Sequence, residues 1–142
     1  MKLKEALQIR STGNDRLDSF MEEYYSHTEP HPMSRRMRVY ENTVLEVSPF
    51  NGAIQIDSIV SMQPMSGAGS KAAKFLMELA NKHRVKIELY AKPFSKNTDH
   101  ITDMEQLIRW YMRLGFRLTD DLVDDPNDLE GVEGVWMTYF PR

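Results

Sequence analysis

The stretch that decides the fold is "MQPMSGAGSKAAKFL", residues 62–76. It follows a β-branched, apolar segment and leads into apolar residues at helical spacing: Ala72, Phe75, Leu76, Leu79 and Ala80. A strand that passes through glycines into a helix leaves the first amides of the helix without partners, and the helix dipole attracts an anion to them. Gly67 and Gly69 permit close approach because they lack a Cβ. The segment predicts either a phosphate site or a plain strand-to-helix turn.

Two familiar nucleotide motifs do not fit this loop. A Walker loop needs lysine directly after its second glycine, but Gly69 is followed by Ser70 and only then by Lys71. A dinucleotide fingerprint needs a third glycine at fixed spacing, which the segment lacks. Lys71 nevertheless adds a cation at the rim, so the sequence is still compatible with a phosphate-binding loop of another type.

Composition limits the class of protein. The chain has 142 residues, a net charge of -3 and no cysteine, which predicts one domain (1–142) without disulfides or thiolate metal sites. His27 and His31 have helical metal-ligand spacing, but Pro30 interrupts that helix, so no metal is expected. No run is long and apolar enough to span a membrane, and the polar start "MKLKEALQIR" is unlike a secretory signal; we therefore expect a cytoplasmic location.

The first half of the chain predicts a helix and then a hairpin. Asn14 or Asp15 can cap a helix whose apolar stripe comprises Leu17, Phe20, Met21 and Tyr24. Residues 37–62 alternate, and "PFNG" (49–52) is a turn signal. Ile54 and Ile56 share one face, but Ile59 has the opposite parity, which predicts a bulge near Asp57 and Ser58.

The second half predicts crossover connections. Residues 85–93 form a strand parallel to its predecessor, because a helix separates the two. The next helix has a capping box (Thr102 and Glu105) and stops at Gly115. Strands around 116–118 and 135–140 close the chain. The predicted fold class is α/β, an α+β mixed sheet with central parallel strands, flanking helices and antiparallel edge strands.

Two motifs carry a resemblance to a known family. The cofactor motif of the GCN5-related N-acetyltransferase (GNAT) superfamily consists of an aliphatic residue, then glutamine or arginine, then two glycines. The matching positions here are Ile59, Pro64, Gly67 and Gly69. Pro64 departs from the motif, because glutamine or arginine is usual at that position. "RWYMRLGF" (109–116) resembles the superfamily's aromatic-Tyr-x-x-x-Gly-Phe segment. The resemblance covers roughly 39–140. "IELYAKP", "LIRWY" and the acidic stretch after them resemble small phage-encoded members, the anti-CRISPR acetyltransferases among them.

The resemblance implies acetyl transfer from acetyl-CoA to an amine. It assigns cofactor binding to the end of the bulged strand and to the glycine loop: Ile59, Val60, Ser61, Ser66, Gly67, Ala68, Gly69, Ser70 and Lys71. It makes Tyr111 the proton donor to the leaving thiolate, although a place in the helix core is the alternative. Many members have a glutamate where Ala53 and Gln55 stand here, so Asp57 is the candidate base, with Glu88 also considered.

Charge suggests the acceptor. Residues 120–133 hold seven acids and no base. Such a rim would attract a cationic amine such as a protein lysine, a polyamine or an aminoglycoside, with the lysine as the first candidate, and a solvated loop without a partner is the alternative. The resemblance to phage-encoded members implies an anti-defence or regulatory role. Arg35, Arg36 and Arg38 could steer an anionic partner. The alternatives are a non-catalytic GNAT-shaped binding module that acts through the acidic loop, and a nucleobase-modifying enzyme. The negative net charge argues against direct binding of nucleic acid. No feature of the sequence indicates a membrane partner. The sequence is compatible with both a monomer and a homodimer.

Overall fold

The computed structural model describes residues 12–62, 67–92, 104–123, 129 and 132–142. The elements are α1 (Asp15–His27), β1 (Glu29–His31), β2 (Ser34–Tyr40), β3 (Thr43–Phe50), β4 (Ala53–Ser61), α2 (Ala68–His83), β5 (Ile87–Ala91), α3 (Met104–Leu114), β6 (Arg117–Leu118) and β7 (Val135–Tyr139). The strands form one sheet in the order β1-β2-β3-β4-β5-β7-β6. Strands β4 and β5 are parallel, and the other neighbours are antiparallel. The predicted mixed sheet is confirmed.

Helix α1 is fixed at both ends by side chains. Asn14 caps its start, because the Asn14 side-chain oxygen accepts the amides of Arg16 and Leu17 at 3.0 and 3.2 Å. At its end the buried Arg38 guanidinium donates to the carbonyls of Tyr25 and Thr28 at 3.0 and 2.7 Å. Arg38 therefore satisfies the end of a helix, and the suggestion that it steers a partner is wrong.

The first four strands form a meander with tight turns. Asn51 and Gly52 both have positive φ, as a two-residue hairpin turn requires, so the turn predicted from "PFNG" is confirmed. A second turn at Glu41, with φ 52°, joins β2 to β3. Strand β1 contains Pro30, which an edge strand tolerates because one side of it has no partner.

The two faces of the sheet differ. In β3, β4, β5 and β7, alternate residues are buried and share one core with the helices' apolar stripes: Leu45, Val47, Ile54, Ile56, Ile87, Leu89, Val135 and Met137. We call the opposite face, which carries Gln55, Asp57, Glu88, Tyr90 and Trp136, the outer face. Helix α2 packs between α1 and α3. Among the described helices, none has the length and apolar character needed to cross a membrane.

Candidate functional site

The first turn of α2 is arranged for an anion. Gly67 has φ +83° and no side chain caps the helix. The first bond of the helix runs from the Lys71 amide to the Gly67 carbonyl, and within the described residues the amides of Gly69 and Ser70 have no hydrogen-bond partner. The first turn contains no acid, whereas Lys71 brings a cation to the positive end of the dipole. A protein anion would normally occupy this place, so the corner favours an external one.

Gly69 has no structural reason to be glycine. A Cβ added to it would meet no protein atom within 4 Å, and its φ is not positive. Glycine inside a helix costs about 1 kcal/mol relative to alanine. Neither packing nor backbone strain requires glycine here. Its effect is to leave the space above the backbone open, and a phosphate that binds the backbone amides needs such space.

The two parallel strands stop pairing beside this corner. Strands β4 and β5 pair from Ile54 and Ile87 to Ile56 and Leu89. Strand β4 continues to Ser61 and stays paired with β3 throughout. From Asp57 onward, no pairing with β5 occurs in the part of the chain that the structure describes. A gap between the strands therefore begins there, and one edge of β4 faces it.

A bulge opens the gap. Val47 pairs with Ile56 and Glu46 with Ser58, so Asp57 has no residue opposite it on β3. The bulge predicted from the parity of the isoleucines is confirmed. Beyond it, Ile59 is half-buried and Val60 is exposed. Ser61 ends the strand and Ser66 lies outside the described residues. The backbone from Ile59 to Ser61 leads from the gap toward the first turn of α2.

Tyr111 lies in the helix layer, on α3. Its ring packs edge-on against Trp110 and Phe116, with centroid distances of 4.8 and 5.5 Å. Burial raises the pKa of Tyr111 to about 12, and its hydroxyl takes part in none of the hydrogen bonds found among the described residues. The Phe116 amide donates to the Tyr111 carbonyl and the Gly115 amide to the Met112 carbonyl, which ends the helix as Gly115 predicts. Thr102 of the predicted capping box lies outside the described residues.

Asp57 lies on the other side of the sheet. Its carboxylate is exposed and accepts the Ser48 hydroxyl at 3.1 Å and the Gln55 amide nitrogen at 2.8 Å. These bonds hold it on the outer face, whereas Tyr111 packs on the helix face. The structure thus places the two predicted catalytic groups on opposite faces of the sheet and does not bring them together. Glu88, also on the outer face, forms an ion pair with Lys86 at 3.3 Å.

Sequence reasoning missed an aromatic pair near the gap. Tyr90 and Trp136 lie opposite each other on β5 and β7, on the outer face, with ring centroids 5.2 Å apart. The sequence did contain a signal for this pair. In "IELYA" and "VWMTY", Tyr90 and Trp136 alternate with the apolar residues that are buried, so both belong to the opposite face of the sheet. The acidic stretch begins beside them, because the Asp120 carboxylate accepts the Trp136 amide at 3.0 Å. Of its other acids Asp121 and Glu133 are described and exposed, and Asp124, Asp125, Asp128 and Glu130 lie outside the described residues.

Comparison with solved structures supports the fold. The chain is similar to the crystal structure of anti-CRISPR protein AcrVA5, with 22% identity and a TM-score of 0.52 over 71% of this chain and 93% of that one. Weaker likenesses are to nourseothricin acetyltransferase (16% identity, TM-score 0.46, 80% of this chain and 71% of that one) and to a Bacillus subtilis acetyltransferase in complex with CoA (16%, 0.45, 94% and 96%). No protein-family model and no curated protein matches the chain. At these identities the likeness to AcrVA5 shows a shared fold, as the sequence resemblance predicted.

Proposed function

We propose that this chain is an acetyl-CoA-dependent N-acetyltransferase whose acceptor is a cationic primary amine, with a protein lysine as the first candidate. The observation that carries the proposal is the continuity of two features. Within the described part of the chain, the edge of β4 from the bulge at Asp57 to Ser61 pairs with no strand on the side of β5. The amides of Gly69 and Ser70 at the start of the next helix have no partner among the same residues. A long ligand with a diphosphate at one end and amides along its arm matches both.

The residues fit coenzyme A in a defined order. The amides of Ser66 to Ser70, with Gly69 and Ser70 central, would bind the diphosphate, and the exposed Lys71 would add a charge-assisted contact. The backbone of Ile59, Val60 and Ser61 would pair with the amides of the pantetheine arm as an added strand does. The thioester then lies in the gap where β4 and β5 no longer pair.

The reaction moves one proton from nitrogen to sulfur. A neutral amine attacks the thioester carbonyl carbon, a C–N bond forms and the C–S bond breaks, giving an amide and a thiol. A backbone N–H at the bulge can stabilise the oxyanion. Asp57 would accept the ammonium proton from the outer face, the Tyr111 hydroxyl would donate a hydrogen bond to the departing sulfur from the helix face, and solvent would carry the proton from Asp57 to the thiolate.

The pKa of Tyr111 defines its contribution. A phenol with a pKa of about 12 holds its proton more tightly than a thiol, whose ordinary pKa is about 8.5. Tyr111 therefore stabilises the departing thiolate chiefly by donating a hydrogen bond, and stays protonated at neutral pH. A hydroxyl without a partner in the described structure is available for this contact.

Acids near the gap support a cationic acceptor. Asp57 is exposed beside it, Asp120 anchors the acidic stretch to Trp136, and Asp121 and Glu133 are exposed on that stretch. Negative charge at the entrance raises the local concentration of a cation. The structure that this chain resembles is named an anti-CRISPR protein. We therefore propose an anti-defence or regulatory role for this chain and assign it no specific target.

Thiol release from acetyl-CoA tests the proposal. The purified chain would be incubated with acetyl-CoA and, separately, a lysine-rich peptide, spermidine or a DNA oligonucleotide. We expect release with the peptide or the polyamine and an acetylated product by mass spectrometry. Release with DNA alone would support the nucleobase-modifying alternative. Binding of acetyl-CoA without release in any arm would contradict the enzyme proposal and favour the binding module.

A further inference from the structure

Tyr90 and Trp136 form an exposed aromatic surface on the outer face beside the gap, which we call the aromatic wall. Tyr90 and Trp136 are 44% and 40% exposed, although each belongs to a strand whose neighbouring residues are buried. Their rings are tilted by 56° with centroids 5.2 Å apart. Exposed aromatic side chains that lie in contact form a contiguous apolar patch, and such patches mark ligand-binding sites in many soluble proteins.

The wall is held rigidly by its backbone. A Cβ added to Gly134 would lie 2.5 Å from the Tyr90 ring and 2.9 Å from the Ala91 carbonyl oxygen, so the ring packs directly against the main chain. Trp136 is tied on both backbone groups, since its amide donates to Asp120 at 3.0 Å and its carbonyl accepts from Thr119 at 3.1 Å. A main chain held in this way loses little conformational freedom on binding, which favours recognition.

The wall and a carboxylate flank the same opening. Ile56 and Leu89 are the last paired residues of β4 and β5, and the next residues, Asp57 and Tyr90, both lie on the outer face. Ser48 and Gln55 fix the Asp57 carboxylate. The mouth of the gap therefore has a fixed acid on one strand and aromatic rings on the other.

This combination fits one chemical class. A π face attracts a cation and also packs against methylene groups, while a carboxylate pairs with an ammonium. We propose that Tyr90 and Trp136 bind the aliphatic stem of a cationic primary amine, a lysine side chain or a polyamine, and direct its nitrogen past Asp57 into the gap. The inference rests on the proposed function and adds the residues that select the acceptor.

Steady-state kinetics of Trp136→Ala and Tyr90→Ala test the wall. We expect the KM for lysine peptide or spermidine to rise about tenfold in each variant, because a cation loses its π face, while kcat and the KM for acetyl-CoA stay near those of the unchanged chain. Trp136→Phe and Tyr90→Phe should restore most of the affinity. Phe50→Ala removes a ring that is 58% exposed at the distant β3–β4 turn and serves as the control; melting temperatures check that each variant folds.

The outcomes separate the two proposals. A rise for the peptide but not for spermidine identifies a lysine side chain as the source, and the reverse identifies a polyamine. Thiol release with an unchanged amine KM in both folded alanine variants would overturn the inference alone. An equal rise in Phe50→Ala would also overturn it. No thiol release with any amine would overturn the proposed function, and the wall's role with it.

Discussion

The carbonyl of Gly67 accepts the amide of Lys71 at 3.1 Å, and this bond begins helix α2. The amides of Gly69 and Ser70 lie between the two residues and have no partner in the described structure. One turn of backbone thus offers donors, the positive end of a dipole and a lysine together. The proposed binding of acetyl-CoA depends on this turn more than on any other feature.

Gly69→Ala should separate stability from binding. Alanine should raise the free energy of unfolding by about 0.5–1 kcal/mol, because glycine is the poorer helix former and the added Cβ meets no protein atom within 4 Å. The same methyl group would occupy the space of the diphosphate and weaken acetyl-CoA binding by about tenfold or more. Urea unfolding and calorimetric titration measure the two effects. A variant that binds acetyl-CoA as well as the unchanged chain would contradict the assignment of this corner.

Lys71→Ala should weaken acetyl-CoA binding by about threefold to tenfold, the usual effect of losing one charge-assisted contact. The loss should shrink at high salt because screening already weakens the contact. Lys74→Ala is the matched control, as Lys74 is also exposed, one turn further along α2. Equal losses in the two variants, measured by calorimetry at two ionic strengths, would indicate general attraction and not a specific contact.

Tyr111→Phe should lower kcat about 100-fold and leave the KM for acetyl-CoA nearly unchanged. An acid works while protonated, and burial raises the pKa of Tyr111 to about 12. The unchanged chain should therefore show no alkaline loss of activity up to about pH 10. The melting temperature should not fall, because the removed hydroxyl takes part in no hydrogen bond among the described residues. Unaltered kcat would exclude Tyr111 from the reaction and return it to a place in the core.

Tyr24→Phe should stabilise the fold by about 1 kcal/mol, because the buried Tyr24 hydroxyl has no hydrogen-bond partner among the described residues and loses its hydration on folding. The matched control is Tyr139→Phe: that buried tyrosine donates to the Asn81 side-chain oxygen at 2.9 Å, and its loss should destabilise by a similar amount. Urea unfolding measures both changes. Destabilisation by Tyr24→Phe would show that its hydroxyl has a partner, such as bound water.

Local signals in the sequence were sufficient for much of the fold. The parity change between Ile56 and Ile59 correctly predicted the bulge, because strand periodicity is strict when one face is buried. Strand β1 was missed since Pro30 argues against a strand unless that strand is known to lie at an edge. The insertion of β7 between β5 and β6 is a matter of long-range pairing, which local patterns do not specify.

The candidate site was less predictable for the same reason. The turn at Gly67 is local and was read from its glycines. That Tyr90 and Trp136 meet on the outer face depends on the pairing of β5 with β7, and that Asp57 and Tyr111 lie on opposite faces depends on which side the helices pack. The burial of Arg38 likewise depends on where α1 ends.

The most direct test of the account is an amide NMR spectrum recorded with and without acetyl-CoA. Donation of hydrogen bonds to phosphate oxygens should move the Gly69 and Ser70 amide protons downfield, with smaller changes from Ile59 to Ser61 along the pantetheine path. The Gly52 amide, at the distant β3–β4 turn, should not move. If saturating acetyl-CoA leaves the Gly69 and Ser70 signals unchanged, the proposed binding of the diphosphate by these amides is wrong.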